Sequence, residues 1–181
     1  MKLIQRFGDY AKLTFMHRFE QEMLPGQCAK INGNWYAIAE QRAEEFDILV
    51  KTDSSLLSSD DHVIEGPLGP GFKNANCKDA VLVAGGTGIG ALIHLLKFRS
   101  ALGLDSYLVH FARSSFGMKE LIPSGTCKKY VFWNTTWHHG RPDSPVHPLC
   151  ELPPESQVFV SGPKSLVTAC KSLQFPCNTN F

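Results

Sequence analysis

The sequence has no long apolar run, no surplus of charge of either sign and no cluster of cysteines. Because no stretch of about 18 uncharged apolar residues occurs, we expect no membrane-spanning helix. The 181 residues include 18 basic and 17 acidic side chains, which leaves a net charge of +1. A chain with balanced charge has no field that attracts polyanions, so we expect neither a nucleic-acid partner nor binding to anionic membranes.

The six cysteines are scattered singly along the chain. Single, unclustered cysteines are typical of proteins from reducing compartments. The opening segment MKLIQRFGDY contains no apolar stretch long enough for a signal peptide. Both features predict a cytoplasmic protein. The composition, with 43% hydrophobic and 19% charged residues, is that of an ordinary globular domain.

Residues 1–74 read as short strands separated by turn-forming residues. The strand-like segments are AKLTFMH, GQCAKI, NWYAIAE, FDILVKT and HVIEGPLG. Asn32-Gly33 is the strongest hairpin signal, because both residues tolerate the positive φ of a type I′ turn. Five or six strands at this spacing predict a small antiparallel β-barrel or sandwich.

From residue 75 to residue 181, strand patterns alternate with helical ones. The predicted strands are AVLVAGG, SYLVHFA, YVFW and QVFVSG, and the predicted helices are ALIHLLKFRSALG and PKSLVTACKSL. This alternation predicts an open α/β domain with a parallel sheet. The segment PLGPGFKNANCKD, rich in Gly, Pro and Asn, marks the boundary between the two units. The chain is therefore predicted to be a two-domain α+β protein.

The strongest local signal is GGTGIG at residues 85–90, where a buried strand turns into a helix. Glycines let a ligand approach the backbone, and the free amides and positive dipole end of the helix suit a pyrophosphate. A bulky residue at Gly88 is expected to fill the space for the phosphate and leave the fold intact. The alternative is a tight strand-to-helix turn that binds no ligand.

Three landmarks occur in an order that resembles the ferredoxin-NADP reductase superfamily. They are EGPLGPGF at residues 65–72, GGTGIG at residues 85–90 and VFVSGP at residues 158–163. The chain is similar to compact members such as the electron-transfer subunit of dihydroorotate dehydrogenase. This resemblance implies a flavin-binding barrel at residues 1–74 and an NAD(P)-binding domain at residues 75–181. It also implies hydride transfer from NADPH or NADH to FAD and an electron-acceptor protein or subunit as partner.

The resemblance further implies which residues act and which bind the cofactors. The implied catalytic residues are Tyr36, Ser161 and Phe181. The implied pyrophosphate contacts are Gly85, Gly86, Thr87, Gly88 and Ile89. The implied flavin contacts are Trp35, Tyr36, Ala37, Gly66, Pro67 and Leu68. Gly162 and Pro163 would lie beside the nicotinamide, with Ser161 in place of the family's cysteine, and a terminal aromatic residue would cover the flavin face.

The flavin motif departs from the family pattern. Pro25-Gly26-Gln27 is intact, but the family's Arg-x-Tyr-Ser is replaced by Asn34-Trp35-Tyr36-Ala37. The lost arginine removes a charge-assisted phosphate contact worth about 1.5–3 kcal/mol. Asp53 stands where a second phosphate-binding turn is expected. Tyr36 either stacks on the flavin or packs in the core of the barrel.

Two further features bear on the cofactors. Arg113 follows the second strand of the α/β domain and favours NADPH, because arginine accepts the extra phosphate that an acidic residue would reject. Alternatively, Arg113 is a solvated surface charge.

Four residues of the Pro-rich segment 134–156 are weak metal-ligand candidates without zinc spacing, so no metal is expected. They are His138, His139, His147 and Cys150.

The close cysteines that hold an iron–sulfur cluster in the compact relatives have no counterpart in this chain. The reductase interpretation also has a rival. A nucleotide-sensing or assembly subunit would keep the two-domain scaffold without tight FAD binding. The departures at Asn34, Ala37 and Asp53 motivate this alternative.

Overall fold

Two β-sheets organise the chain, an antiparallel sheet of six strands followed by a parallel sheet of five. The computed structural model describes residues 3–59, 61–113, 118–135, 156–172 and 177–180. The predicted α+β class, with an antiparallel β-unit followed by an α/β unit, is confirmed. Within these ranges no helix is long and apolar enough to cross a membrane.

The antiparallel sheet has the strand order β1-β2-β5-β4-β3-β6. Its strands are β1 (Leu3–Phe7), β2 (Tyr10–Met16), β3 (Cys28–Ile31), β4 (Asn34–Arg42), β5 (Glu45–Lys51) and β6 (Ile64–Leu68). The hairpin predicted at Asn32-Gly33 joins β3 to β4, with φ values of 49° and 82°. Strand β1 was not predicted. Its outer residues are exposed and only Phe7 is buried among those described, so it lacks the alternation of a half-buried strand.

The parallel sheet has the strand order β11-β10-β7-β8-β9. Its strands are β7 (Ala80–Gly85), β8 (Ser106–Ala112), β9 (Lys129–Asn134), β10 (Gln157–Ser161) and β11 (Cys177–Thr179). Helix α1 (Ile89–Ala101) connects β7 to β8, and helix α2 (Lys164–Lys171) follows β10. Strand β11 was not predicted. The chain order reverses beside β7, which is where ligands bind in open α/β sheets.

Helix α1 packs against the antiparallel sheet as well as its own. A Cβ built on Gly90 would lie 3.7 Å from Ala39 and from Leu49, so this glycine permits the approach of α1 to β4 and β5. One core cluster accordingly contains Phe7 and Tyr10 together with leucines of α1. The predicted boundary after residue 74 falls between β6 and β7, where the chain passes from one sheet to the other, and remains a prediction.

A buried arginine ties the connecting segment to the α/β unit. Arg99 on α1 is 0% exposed. It donates hydrogen bonds to the carbonyl oxygens of Ala75, Cys77, Lys78 and Asp105 at 2.5–3.1 Å and to the hydroxyl of Ser106 at 2.9 Å. These backbone oxygens satisfy the guanidinium without a carboxylate, so the segment before β7 is fixed to the end of α1.

A buried carboxylate ties together three strands of the antiparallel sheet. Asp47 on β5 is 1% exposed and accepts hydrogen bonds from Arg42 at 2.8 and 3.1 Å and from Thr14 at 2.7 Å. Lys12 lies 3.6 Å away. Burial alone would raise the pKa of Asp47, but the hydrogen bonds from Arg42 and Thr14 and the charge of Lys12 hold it below its ordinary value.

Removing the arginine should destabilise this sheet. In Arg42→Met the Asp47 carboxylate stays buried and keeps only Thr14 and Lys12. We expect a loss of about 2 kcal/mol in the free energy of unfolding, less than for a fully buried pair because Arg42 is 37% exposed. Urea denaturation measures the change. Lys128→Met is the control, since its exposed pair with Asp105 is screened by water; equal midpoints for both variants and the wild type would contradict the prediction.

Candidate functional site

A cleft of about 610 Å³ lies at the carboxyl edge of the parallel sheet, facing one end of the antiparallel sheet. Four residues predicted as cofactor contacts line it, namely Gly85, Gly86, Arg113 and Pro163. The cleft also contains side chains that the sequence did not single out as ligand contacts. Among them are Asp9, Tyr10, Lys51, Phe111 and Ser165. Strand ends that are distant in sequence meet here, so the cleft combines both units.

The glycine turn and the SGP segment are in direct backbone contact. A Cβ on Gly85 would lie 2.6 Å from the Cδ of Pro163, and one on Gly162 would lie 2.8 Å from the Cα of Gly85. A Cβ on Gly88 would overlap the carbonyl oxygen of Ser161 and lie 2.7 Å from the nitrogen of Gly162. Two of the three sequence landmarks are therefore held together, and glycine is required at their contact.

This contact corrects the expectation for Gly88. A side chain at position 88 would point at the backbone at the end of β10 and not into the space that a phosphate would occupy. Ser161 is also buried, with 1% of its surface exposed. Its backbone supports the turn, while Gly162 and Pro163 are the more exposed residues of the segment.

Gly86 is the glycine that opens onto the cleft. It has φ +54°, and a Cβ built there would meet only the Tyr10 hydroxyl, at 3.5 Å. The turn Gly86–Gly88 is a single 3₁₀ turn that continues into α1, and no side chain caps its amides. Amides at this position lack intrahelical partners and point out of the helix end. The open backbone at Gly86 is thus suited to an anion.

A second helix begins at the same cleft. Helix α2 starts after Pro163 without a side-chain cap, and Ser165 in its first turn lines the cleft. Helices α1 and α2 pack on opposite faces of the parallel sheet, and their N-terminal ends meet at this cleft. Since each helix end carries a partial positive charge, their convergence favours a bound anion even though the chain is nearly neutral.

The side chains at the cleft carry charges of both signs. Lys51 and Arg113 are balanced by Asp9 and Asp53 among the described lining residues. Burial and the charge of Asp9 raise the pKa of Tyr10, against an opposing effect of Arg113. The Tyr10 hydroxyl therefore keeps its proton at neutral pH and is a hydrogen-bond donor at the wall of the cleft.

The predicted flavin residues on β4 lie outside the cleft lining. Trp35 is 53% exposed, whereas Tyr36 is partly buried against the core of the antiparallel sheet, and Ala37 packs against the core shared with α1. The β4–β5 register ends at the Ile38–Ile48 pair. Residues 34–37 therefore extend beyond this pairing, with β3 as their paired neighbour.

The predicted residues of β6 adjoin the intact Pro25-Gly26-Gln27 turn. Gly66, Pro67 and Leu68 belong to β6, and the segment that follows folds over the turn. Gln27 donates to the carbonyl of Gly69 at 2.8 Å, and the amide of Phe72 donates to Pro25 at 2.7 Å. The structure thus brings these two motifs together.

The donor set fits the two expected cofactors unequally. The glycine turn, the start of α2 and Tyr10 fit a diphosphate. Strand β4 offers Asn34 where a flavin phosphate would need an arginine, and Lys30 on β3 is paired with Glu65 at 3.2 Å. On the side of the cleft formed by the antiparallel sheet, Lys51 at the end of β5 is the cation among the described lining residues. Tight binding of a flavin phosphate is therefore not supported on β4.

Several predicted residues lie outside the described part of the chain. Phe181 and the metal-ligand candidates His138, His139, His147 and Cys150 are among them. Within the described ranges, no group of three or more potential ligands is placed to hold a metal ion.

Substitution of Gly88 should destabilise the fold and not merely weaken ligand binding. In Gly88→Ala the new Cβ meets backbone atoms of residues 161 and 162, which cannot move without disturbing β10. We expect a loss of about 3 kcal/mol in the free energy of unfolding. Thermal unfolding of Gly88→Ala beside Gly90→Ala, where a Cβ would make only ordinary van der Waals contacts at 3.7 Å, separates this clash from a general cost of losing glycine. Similar melting temperatures for the two would refute the packing argument.

Two buried histidines should make stability depend on pH. Burial lowers the pKa of His94 and of His110 from 6.5 to about 4. Between these values the unfolded chain binds more protons than the folded one, so stability is lost as the pH falls from 6.5 to about 4. Urea denaturation at stepped pH measures the slope. His94→Leu should flatten it, and a slope unchanged by this substitution would count against the assignment.

Comparisons with models of protein families and with curated proteins find no match. Solved structures do match. A NADH-dependent reduced ferredoxin-NADP oxidoreductase has a TM-score of 0.67 at 18% identity, over 94% of this chain and 71% of that one. The ferredoxin reductase of carbazole 1,9a-dioxygenase, in its FAD apo form, has a TM-score of 0.76 at 16% identity, over 98% of this chain and 64% of that one.

A third match is the flavohem-like FAD/NAD-binding domain of nitric oxide dioxygenase from Vibrio cholerae. It has a TM-score of 0.70 at 16% identity, over 98% of this chain and 94% of that domain. The chain thus spans between 64% and 94% of these three structures. The identities are low, so the likeness concerns the fold. The resemblance read from the sequence is confirmed at this level: the chain has the two-domain fold of ferredoxin-NADP reductase-type FAD/NAD-binding domains.

Proposed function

We propose that the chain is an electron-transfer module of the reductase type, which binds NADPH or NADH in the cleft and delivers a hydride to a flavin. Electrons would then pass to an acceptor protein or subunit. The observation that carries this proposal is the meeting of two uncapped helix N-termini at the open Gly86 backbone. A dinucleotide diphosphate is the anion that this arrangement suits best.

The side chains of the cleft would position the rest of the dinucleotide. Tyr10 would donate its hydroxyl hydrogen to a phosphate oxygen near Gly86. Arg113 follows β8 and would accept the additional phosphate of NADPH, which favours this dinucleotide over NADH. The nicotinamide would lie toward Gly162 and Pro163 at the end of β10. Because Ser161 is buried, its contribution in this proposal is to support the turn.

A bound flavin would supply the hydride-accepting ring. This chain's contribution would be the extended segment at residues 34–37, where β4 has left β5, and the exposed ring of Trp35 beside it. Aromatic side chains in such positions offer a flat apolar surface to a planar ligand. Since position 34 carries asparagine and not arginine, Lys51 would be the cation available to a flavin phosphate. We therefore expect FAD to exchange readily and not to copurify in full.

A second candidate function has its own support. The replacements at Asn34 and Ala37, with Asp53 at the rim of the cleft, all weaken the flavin side and leave the glycine turn intact. A subunit that binds a dinucleotide for sensing or assembly, without hydride transfer, would have this combination.

One preparation separates the two candidates. The purified protein is mixed with FAD, its visible spectrum is recorded, and NADPH or NADH is added anaerobically. Bleaching of the flavin band faster than in a protein-free mixture supports the reductase. A protein that binds dinucleotide but leaves added FAD oxidised supports the second candidate, and one that binds no dinucleotide excludes both.

Gly86→Ala should weaken dinucleotide binding while the protein stays folded. The Cβ would enter the open face of the turn, and the positive φ adds a strain of about 1–2 kcal/mol. Gly103→Ala is the matched control, since Gly103 has φ +69° at the end of α1 and open space around it. Both variants should melt at similarly reduced temperatures. Calorimetric titration with NADPH should show a dissociation constant raised about tenfold or more in Gly86→Ala alone. Equal affinities would show that the diphosphate lies elsewhere.

A further inference from the structure

A buried histidine supports the glycine turn from behind. His110 lies on β8, the neighbour of β7, and is 0% exposed. Its Nε2 is 3.1 Å from the carbonyl oxygen of Gly86, and its Nδ1 is 3.5 Å from the hydroxyl of Tyr130 on β9. The sequence analysis did not single out either residue. The strand order β7-β8-β9 brings all three groups into one row.

The hydrogen bonds in this row are all donated in the same direction, from Tyr130 to His110 and from His110 to Gly86. A carbonyl oxygen only accepts, so Nε2 of His110 must carry the proton that it shares with Gly86. Burial lowers the pKa of His110 to about 4, so the ring is neutral at pH 7 and Nδ1 is an acceptor. Burial also raises the pKa of Tyr130 to about 12, so its hydroxyl keeps the proton that it donates to Nδ1.

The orientation of the Gly86 carbonyl determines where the next amide points. The peptide bond between Gly86 and Thr87 is trans, so its carbonyl and the Thr87 N–H point in opposite directions. The same carbonyl accepts a second hydrogen bond from the amide of Ile89. Held by Ile89 and by His110, it points into the protein, and the Thr87 N–H therefore points the opposite way, out of the helix end.

We propose that His110 is a positioning residue for diphosphate binding. Its Nε2–H fixes the Gly86 carbonyl and so directs the Thr87 amide at the anion, while Tyr130 fixes the tautomer of the ring. This inference rests on the proposed dinucleotide site. It adds that the affinity of the glycine turn depends on a side chain that does not itself line the cleft.

The test compares substitutions on the two faces of β8. His110→Leu removes the donor, and His110→Gln retains an N–H donor. Val109→Ala is the control, because Val109 neighbours His110 on β8 but is buried in the core cluster on the opposite face of the sheet. Calorimetric titration with NADPH and NADH is combined with thermal unfolding of each variant.

We expect His110→Leu to raise the dissociation constant about fivefold to tenfold, Tyr130→Phe to raise it less, and His110→Gln to recover most of the loss. Val109→Ala should lower the melting temperature without changing the affinity. If Val109→Ala and His110→Leu weaken binding equally at equal loss of stability, His110 is merely structural and the proposal is wrong. If the wild-type protein binds neither dinucleotide, the proposed function itself has failed.

Nitrogen-15 NMR of the wild-type protein gives a readout that does not depend on the folding of any variant. The proposal requires a protonated Nε2 with a slowly exchanging hydrogen and an unprotonated Nδ1, unchanged down to about pH 5. It also requires the Nε2–H resonance to shift when NADPH is added. A proton on Nδ1, or a resonance unaffected by the bound dinucleotide, would overturn it.

Discussion

The structure depends on the approach of one backbone to another at the end of β7. A Cβ on Gly88 would overlap main-chain atoms of Ser161, and a Cβ on Gly162 would overlap those of Gly85. This approach aligns the starts of α1 and α2 at one cleft. The sequence predicts that Gly86 and Gly88 both contact the ligand. In the structure Gly88 packs against the backbone at the end of β10, whereas Gly86 opens onto the cleft.

An anion site of this kind needs little net charge. The lining side chains Lys51 and Arg113 are offset by Asp9 and Asp53, so attraction to a phosphate comes from fixed amide dipoles and from the Tyr10 hydroxyl. Backbone dipoles are already oriented in the folded protein and require no reorganisation when the ligand enters. Such a site is compatible with a chain of net charge +1, because it does not rely on a surplus of basic side chains.

Sequence reasoning identified the parts whose signal is local. The buried run of β7, the glycine turn and the Asn32-Gly33 hairpin each depend on residues next to one another, and each lies where it was predicted. It missed β1 and β11, whose pairing depends on a neighbouring strand more than on their own pattern. It also missed Tyr10, Lys51 and His110 as parts of the site. These residues belong to three different strands and meet only through tertiary packing, so no spacing along the chain could indicate them.

The register of the antiparallel sheet explains how the departures from the family's flavin motif on β4 affect the cleft. Past the Ile38–Ile48 pair, β4 and β5 separate, and Lys51 reaches the cleft from β5 while Asn34 has no charge to offer from β4. Lys51, at the end of β5, lines the cleft, whereas residues 34–37 of β4 lie outside the lining. A phosphate drawn to Lys51 would therefore lie nearer the dinucleotide site than one held by an arginine at position 34. In this chain the arginine expected at position 34 is missing from the sequence, whereas the glycine turn and the two helix ends that would hold the proposed dinucleotide are features of the backbone.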